Sequence, residues 1–183
     1  GLEHDNEPDD VWAFAEYSKE ALLDKYRQTF DEYRLQAALG LTDDVTYEQR
    51  MNIAKANIDN YLKVIELHPE TEFIIFFPPY SALYWHGTLL RDDLWILDLH
   101  KYVISEFLRY ENVRVFYYQD KYDWIVDLDQ YFDESHYSPA YNRRIFDAIW
   151  ACDGEISMEN MDERIDALRE WVLEYDFDGM WEN

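Results

Sequence analysis

Phe73-Ile74-Ile75-Phe76-Phe77, closed by Pro78-Pro79, is an unbroken run of β-forming side chains ended by two residues that cannot donate to a ladder. Five residues suit a strand better than a helix. An apolar run without alternation predicts a strand buried on both faces, as in a parallel sheet covered by helices. Val113-Arg-Val-Phe-Tyr-Tyr118 repeats the signal. Between the two, Asp92 and Asp93 open a helical segment to about residue 110, with Ile96, Leu99, Val103 and Phe107 as its apolar stripe. Strand, helix, strand is a βαβ arrangement, so the sequence predicts an α/β fold.

Helices dominate on either side of this unit. Residues 11–39 place Leu22, Tyr26, Phe30 and Tyr33 at spacings of three and four, with Gly40 as a stop and a turn-rich break at 42–46. Residues 47–67 put Met51, Ala54, Ile58, Tyr61, Leu62 and Ile65 on one face, and His68-Pro69 ends them. Ser138 is the expected N-cap and Pro139 the first turn of a helix carrying Ile145 and Ile149, which ends near Gly154. A last helix over about 158–175 turns Met161, Ile165, Leu168 and Val172 inward. Residues 1–10 are polar and read as a loose, cut start, leaving 11–183 as a single α/β domain.

Composition narrows the function classes. Hydrophobic side chains make up 48% of the 183 residues, enough for a packed core despite a net charge of −24. Forty acidic residues against sixteen basic argue against a nucleic-acid partner, because nothing would draw a phosphate backbone to the surface. The one cysteine, Cys152, cannot form an intrachain disulfide and has no basic neighbour in sequence to activate it, so it reads as structural. No apolar run reaches the length of a membrane span, and membrane contact from this segment is not expected.

Only two strands are evident, with about five flanking helices. That is too little sheet for a doubly wound core, so the expectation is a partial three-layer sheet with at least two parallel strands. Its further strands would come from another part of a longer protein, an N-terminal half, or from another protomer.

Ligands in open α/β sheets bind beyond the carboxyl ends of the strands. Two segments lie there, residues 78–87 and 120–138, and they hold Ser81, His86, Asp120, Asp133, His136 and Ser138. Asp133-Glu-Ser-His136 is the most pointed group. A carboxylate three residues before an imidazole can hold one ring nitrogen and fix the tautomer, leaving the other to exchange a proton with a hydroxyl. The plain alternative is a loop histidine bonded to a helix-capping carboxylate. Ser81 lacks the flanking glycines of a nucleophile elbow, and reads instead as a residue that caps or packs the next turn. His86, between Trp85 and Gly87, would either line a carbohydrate or acyl pocket or sit in a surface loop with an aromatic anchor. Asp127, Asp129, Asp133 and His136 offer metal donors, but their spacing matches neither a calcium loop nor a zinc site, so no metal or cofactor is expected. Tyr117, Tyr118, Tyr122, Trp124, Tyr131, Tyr137 and Tyr141 crowd the same region; such rings stack on sugar faces or simply pack.

Phe76-Phe-Pro-Pro-Tyr-Ser81 followed by Phe132-Asp-Glu-Ser-His-Tyr-Ser-Pro139, with Asn142 beyond, resembles the C-terminal half of SGNH (GDSL-type) hydrolase-like proteins of bacterial cell envelopes, over roughly residues 52–175. The resemblance implies a flavodoxin-like sheet, incomplete here. It implies Asp133 and His136 as carboxylate and base, Tyr80 and Ser81 bordering the pocket, and Tyr137 and Ser138 supporting His136. It also implies an extracytoplasmic setting. The family's nucleophilic serine follows an early strand in a Gly-x-Ser turn, and nothing in this chain matches that turn or the oxyanion-hole motifs. The expectation is therefore part of a serine esterase or O-acyltransferase acting on acylated polysaccharide, supplying the acid/base pair without the nucleophile. The alternatives are a glycan-binding module without catalysis, or a protein-interaction domain on a hydrolase-like fold.

Overall fold

The structure, a computed structural model, describes residues 17–39 and 45–181. The predicted loose start, the first turns of the 11–39 helix and the stop at Gly40 lie outside the described residues. The elements in chain order are α1 (Lys19–Leu39), α2 (Tyr47–Leu67), β1 (Phe73–Phe77), α3 (Ala82–Leu90), α4 (Ile96–Phe107), β2 (Val113–Tyr117), α5 (Tyr122–Ile125), α6 (Pro139–Trp150), β3 (Glu155–Ile156) and α7 (Met161–Glu174). Short 3-10 turns follow at Leu128–Gln130 and Asp178–Trp181.

The sheet order is β1-β2-β3. β1 and β2 run parallel, in register from Phe73↔Val113 to Phe77↔Tyr117, and β3 adds an antiparallel pair at Phe116↔Glu155 and Val115↔Ile156. The fold is mixed α/β, with its parallel pair where the two apolar runs predicted it. A strand of two residues such as β3 carries no periodicity and left no trace in the sequence.

Each face of the sheet has its own cover. On one, His100 of α4 meets Tyr117, with Nδ1 3.0 Å from the phenol oxygen, and its ring lies 5.1 Å from that of Phe77. Leu97, Ile104 and Phe107 are the other buried positions of α4, whose outer side packs against α7 and α2. On the other face, the Arg114 guanidinium donates to the sulfur of Cys152, just past the end of α6. From Phe116 a ring stack leads through Tyr118 and Trp124 to Tyr141 in the first turn of α6. α6 therefore lies along the face that displays Arg114 and Phe116.

That cover stops short of β1. Ile74 and Phe76 share the α6 face through their register with Arg114 and Phe116, and they remain 44% and 42% exposed. The expectation of a strand buried on both faces is thus corrected. β1 is an edge strand, and its apolar run lacks a covering layer on one side among the described residues.

Two devices hold the carboxyl end of β2 against the rest of the fold. Gly154 has φ +91, and a Cβ there would lie 2.6 Å from Tyr118 Cε1, so the chain passes the ring only as glycine. Arg164 of α7 reaches the same place. It donates twice to Asp120, at 2.6 and 2.9 Å, and also to the carbonyls of Tyr117, Gly154 and Glu155. Asp120, which the sequence placed near the chemistry, is therefore held in this anchor.

Candidate active site

The carboxyl ends of β1 and β2 release two segments that interlock. Gln119, buried just past β2, donates to the Pro78 carbonyl at 2.5 Å and accepts from the Tyr80 N–H at 3.4 Å. The Tyr131 hydroxyl donates to the Pro79 carbonyl at 3.1 Å. Ser81 gives both its N–H and its hydroxyl to the Glu134 carbonyl, at 2.9 and 2.8 Å. The turn after β1 and the loop over residues 132–139 are thereby one rigid unit. Pro78 and Pro79 suit it, since both lack an N–H and leave only carbonyls to satisfy.

Within that loop Asp133 binds at both oxygens. Oδ1 accepts from the backbone N–H of Ser135 (2.9 Å) and of His136 (2.8 Å), which closes the turn. Oδ2 sits 2.7 Å from His136 Nδ1. Burial pushes the Asp133 carboxyl up, but the two backbone N–H groups and the His136 ring outweigh it, and the net direction is down. An ionised carboxylate only accepts, so Nδ1 carries a proton, which makes Nε2 the nitrogen that can take or give up the other. The His136 side chain is 57% exposed and borders a cavity of about 470 Å³ with Tyr17, Pro78, Tyr80, Ser135, Tyr137, Pro139 and Asn142.

The structure gathers Tyr80, His136 and Tyr137 at this cavity, with Asp133 behind the ring. Ser81 and Ser138 are not in its lining. Ser81 is fully buried at the N-cap position of α3, and the Ser138 hydroxyl donates to Gln130 Oε1 at 2.8 Å. Ser138 precedes α6 as predicted, yet its side chain makes no cap bond to the helix. His86 is set apart from the cavity as well. It lies inside α3, buried, its ring stacked on Phe177 at 4.8 Å and tilted against Phe30 at 5.0 Å. Neither a pocket wall nor a surface loop describes it.

Three contributors went unseen in the sequence. Tyr17 comes from the approach to α1, and that helix lies across the site loop. Its Lys25 donates to the Phe132 carbonyl at 3.2 Å, with the ammonium 3.5 Å from the ring centre. Gln119 acts through a contact 39 to 41 residues away in sequence, which no local pattern encodes. The third is Glu134. Burial raises its carboxyl to about 7, the charge of Asp133 adds to the rise and Arg91 opposes it. Most of the crowded aromatics are core: Tyr117, Tyr118 and Tyr131 are fully buried, and only Tyr137 of that group reaches the cavity.

Glu134 makes stability depend on pH in the opposite sense to Asp133. Between its ordinary 4.5 and about 7, the folded chain binds a proton that the unfolded chain has released, so this carboxyl costs stability as pH rises through that window. Glu134→Gln should therefore melt higher than the parent at about pH 8 and level with it near pH 4, as thermal denaturation followed by circular dichroism will read. Discounted for partial solvent contact, the gain is on the order of 1 kcal/mol, about 2–4 °C in Tm. Equal melting at both pH values would remove the effect.

Among the described residues no group of three or more His, Cys, Asp or Glu is placed to hold a metal ion, and no helix is long and apolar enough to cross a membrane. Comparisons with family models, with curated proteins and with solved structures find no match for this chain. The chemistry must be read from the site itself.

Proposed function

We propose that this chain supplies the acid/base half of an SGNH-like serine esterase or O-acyltransferase acting on acylated cell-envelope polysaccharide. The observation that carries the reading is the 2.7 Å contact between Asp133 Oδ2 and His136 Nδ1, at the edge of a cavity beyond the carboxyl ends of two parallel strands. Asp133 holds the ring in the tautomer whose Nε2 accepts a proton. The nucleophile is a hydroxyl from polypeptide outside this chain, its N-terminal half or another protomer. Nε2 takes the hydroxyl proton as that oxygen attacks the acyl carbon. As the acyl–oxygen bond breaks, the imidazolium returns the proton to the departing sugar oxygen, while Asp133 stays ionised and balances the charge. An extracytoplasmic location belongs to the same reading.

The tyrosines at the cavity, Tyr17, Tyr80 and Tyr137, favour a second role for the same walls, the stacking of sugar rings. If that role stands alone, the site is a glycan-binding module without turnover.

The test titrates an O-acetylated oligosaccharide into the chain and follows the His136 and Tyr137 side chains by NMR. The acyl-transfer reading expects shifts at both residues, with markedly weaker binding of the deacetylated sugar and of acetylated sugar to His136→Ala. Equal binding of both sugars by parent and variant would leave the glycan module, and no shift at either ring would remove both. On its own the chain is expected to release no acetate from that oligosaccharide above the buffer rate, because this reading places the nucleophile outside it.

A further inference from the structure

We infer that α1 is a lid on the His136 cavity, seated while the Glu134 carboxyl beneath it is protonated and loosened when that carboxyl ionises. The helix lies across the loop that carries the dyad. Tyr17, at its approach, belongs to the cavity wall and sets its ring 6.4 Å from that of Phe132. The Lys19 N–H donates to Asp129 Oδ1 at 2.7 Å, and the Lys25 ammonium donates to the Phe132 carbonyl. Further along, Tyr26 and Phe30 pack on His86 of α3 and on Trp181. Tyr33 takes the Arg91 guanidinium over its ring at 4.5 Å.

Glu134 lies under the middle of this helix. Its backbone carbonyl is fixed by both donors of Ser81, yet no hydrogen bond or ion pair reaches its carboxyl among the described residues. The groups that face the carboxyl are the hydroxyls of Tyr26 and Tyr33 from α1, Arg91 from the end of α3 and Asp133 from its own loop. Arg91 is shared, since its Nε donates to Asp93 at 3.1 Å. The Tyr26 hydroxyl is buried without a hydrogen-bond partner among the described residues. Gly87 makes room for the cluster: a Cβ there would lie 3.3 Å from the Tyr26 hydroxyl and 3.1 Å from Arg91 Nη1. A neutral carboxyl both donates and accepts, so it sits beside two phenols at little cost. A carboxylate in the same place is an unpaired charge held away from water, next to the charge of Asp133, and it regains hydration when the helix lifts.

The sign follows from linkage. With α1 seated, Glu134 keeps its proton up to about 7; with α1 lifted, the carboxyl returns toward its ordinary 4.5. Opening therefore releases a proton between those values, so it becomes easier as pH rises through that window and levels off above it. The gap between the two values sets a ceiling of about two orders of magnitude on the change in the opening equilibrium. Lifting α1 takes Tyr17 from the cavity wall and widens the approach to His136.

Hydrogen exchange of the whole chain at about pH 5 and about pH 8, read by mass spectrometry and corrected for the intrinsic rate of each amide, tests the lid. In the parent, the α1 amides should exchange at least about tenfold faster at the higher pH, with α7 better protected than α1 throughout. Glu134→Gln should hold α1 equally protected at both values. Lys25→Met should loosen α1 by one factor at both, because it removes a contact and leaves the titrating group. A ¹³C titration of the Glu134 carboxyl in the parent gives a second reading, with its midpoint near 7. Equal protection of α1 at both pH values in the parent overturns the proposal. So does a pH dependence that survives in Glu134→Gln, a Glu134 midpoint at the ordinary value, or a single common exchange rate for α1 and α7, which is global unfolding. None of these readouts uses an acylated sugar, so the lid stands or falls apart from the role proposed for His136.

Discussion

Arg164→Met is expected to destabilise the fold by about 3–5 kcal/mol, on the order of 10 °C in Tm, more than any other single change at the surface of α7. The guanidinium makes five bonds. Two go to Asp120 and three to carbonyls at the carboxyl end of β2 and at the start of β3. Its side chain is 20% exposed and that of Asp120 12%. Methionine keeps the apolar stem but takes the guanidinium from a nearly buried carboxylate and from the Tyr117 and Glu155 carbonyls, while the Gly154 carbonyl keeps the Tyr117 N–H at 2.9 Å. The cost lies mainly in the orphaned charge, which gives the prediction a second arm. Adding Asp120→Asn to Arg164→Met should recover part of the loss, because a neutral amide tolerates the site better. Urea unfolding of parent, single and double variants reads both quantities. A loss under about 1 kcal/mol would mean that water replaces the guanidinium.

The anchor also shows why the sequence was legible in some places and not in others. Amphipathic helices announce themselves: Met161, Ile165, Leu168 and Val172 of α7 are the predicted stripe and the buried one. In α4 the predicted stripe of Ile96, Leu99, Val103 and Phe107 is rotated from the buried set of Leu97, His100, Ile104 and Phe107. The cause is His100, a polar letter that burial holds neutral, pushed down to about 4. α3 carries no helical signal in the sequence because Ala82, Leu83, Trp85, His86, Gly87 and Thr88 are all buried, and a helix without a polar face has no amphipathic period to detect. The run at residues 73–77 established a strand, but an apolar letter states only that a side chain prefers cover, not that this chain provides it. Ile74 and Phe76 mark that difference.

The site divides in the same way. Asp133 and His136 are three residues apart, and their contact is local, so the spacing was enough to suggest it. Ser81 and His86 were grouped with them by position after a strand end, yet α3 carries them into the core, away from the cavity. Long-range supports such as Gln119 to Pro78 and Tyr131 to Pro79 are properties of the folded chain alone.

Asp133→Asn should leave the loop folded and invert the chemistry of the ring. The backbone N–H groups of Ser135 and His136 both converge on Oδ1, so the amide oxygen of asparagine takes that position and its NH₂ faces His136 Nδ1. An NH₂ donates, so Nδ1 must accept, and the ring proton moves to Nε2. The nitrogen proposed as the base then carries a proton already. ¹⁵N chemical shifts of the ring in this chain read the exchange directly: the parent should show Nδ1–H, and the variant Nε2–H, with the loop's amide shifts otherwise close to the parent's. If His136 is the base of the acyl transfer proposed above, the same substitution should cost about 10⁴-fold in turnover once the nucleophile is present. Asp133→Ala differs by removing the acceptor for two backbone donors as well, so it should loosen residues 132–139 and raise their hydrogen exchange. If asparagine left Nε2 unprotonated, the carboxylate would not be what fixes the tautomer, and the case for His136 as a base would fall with it.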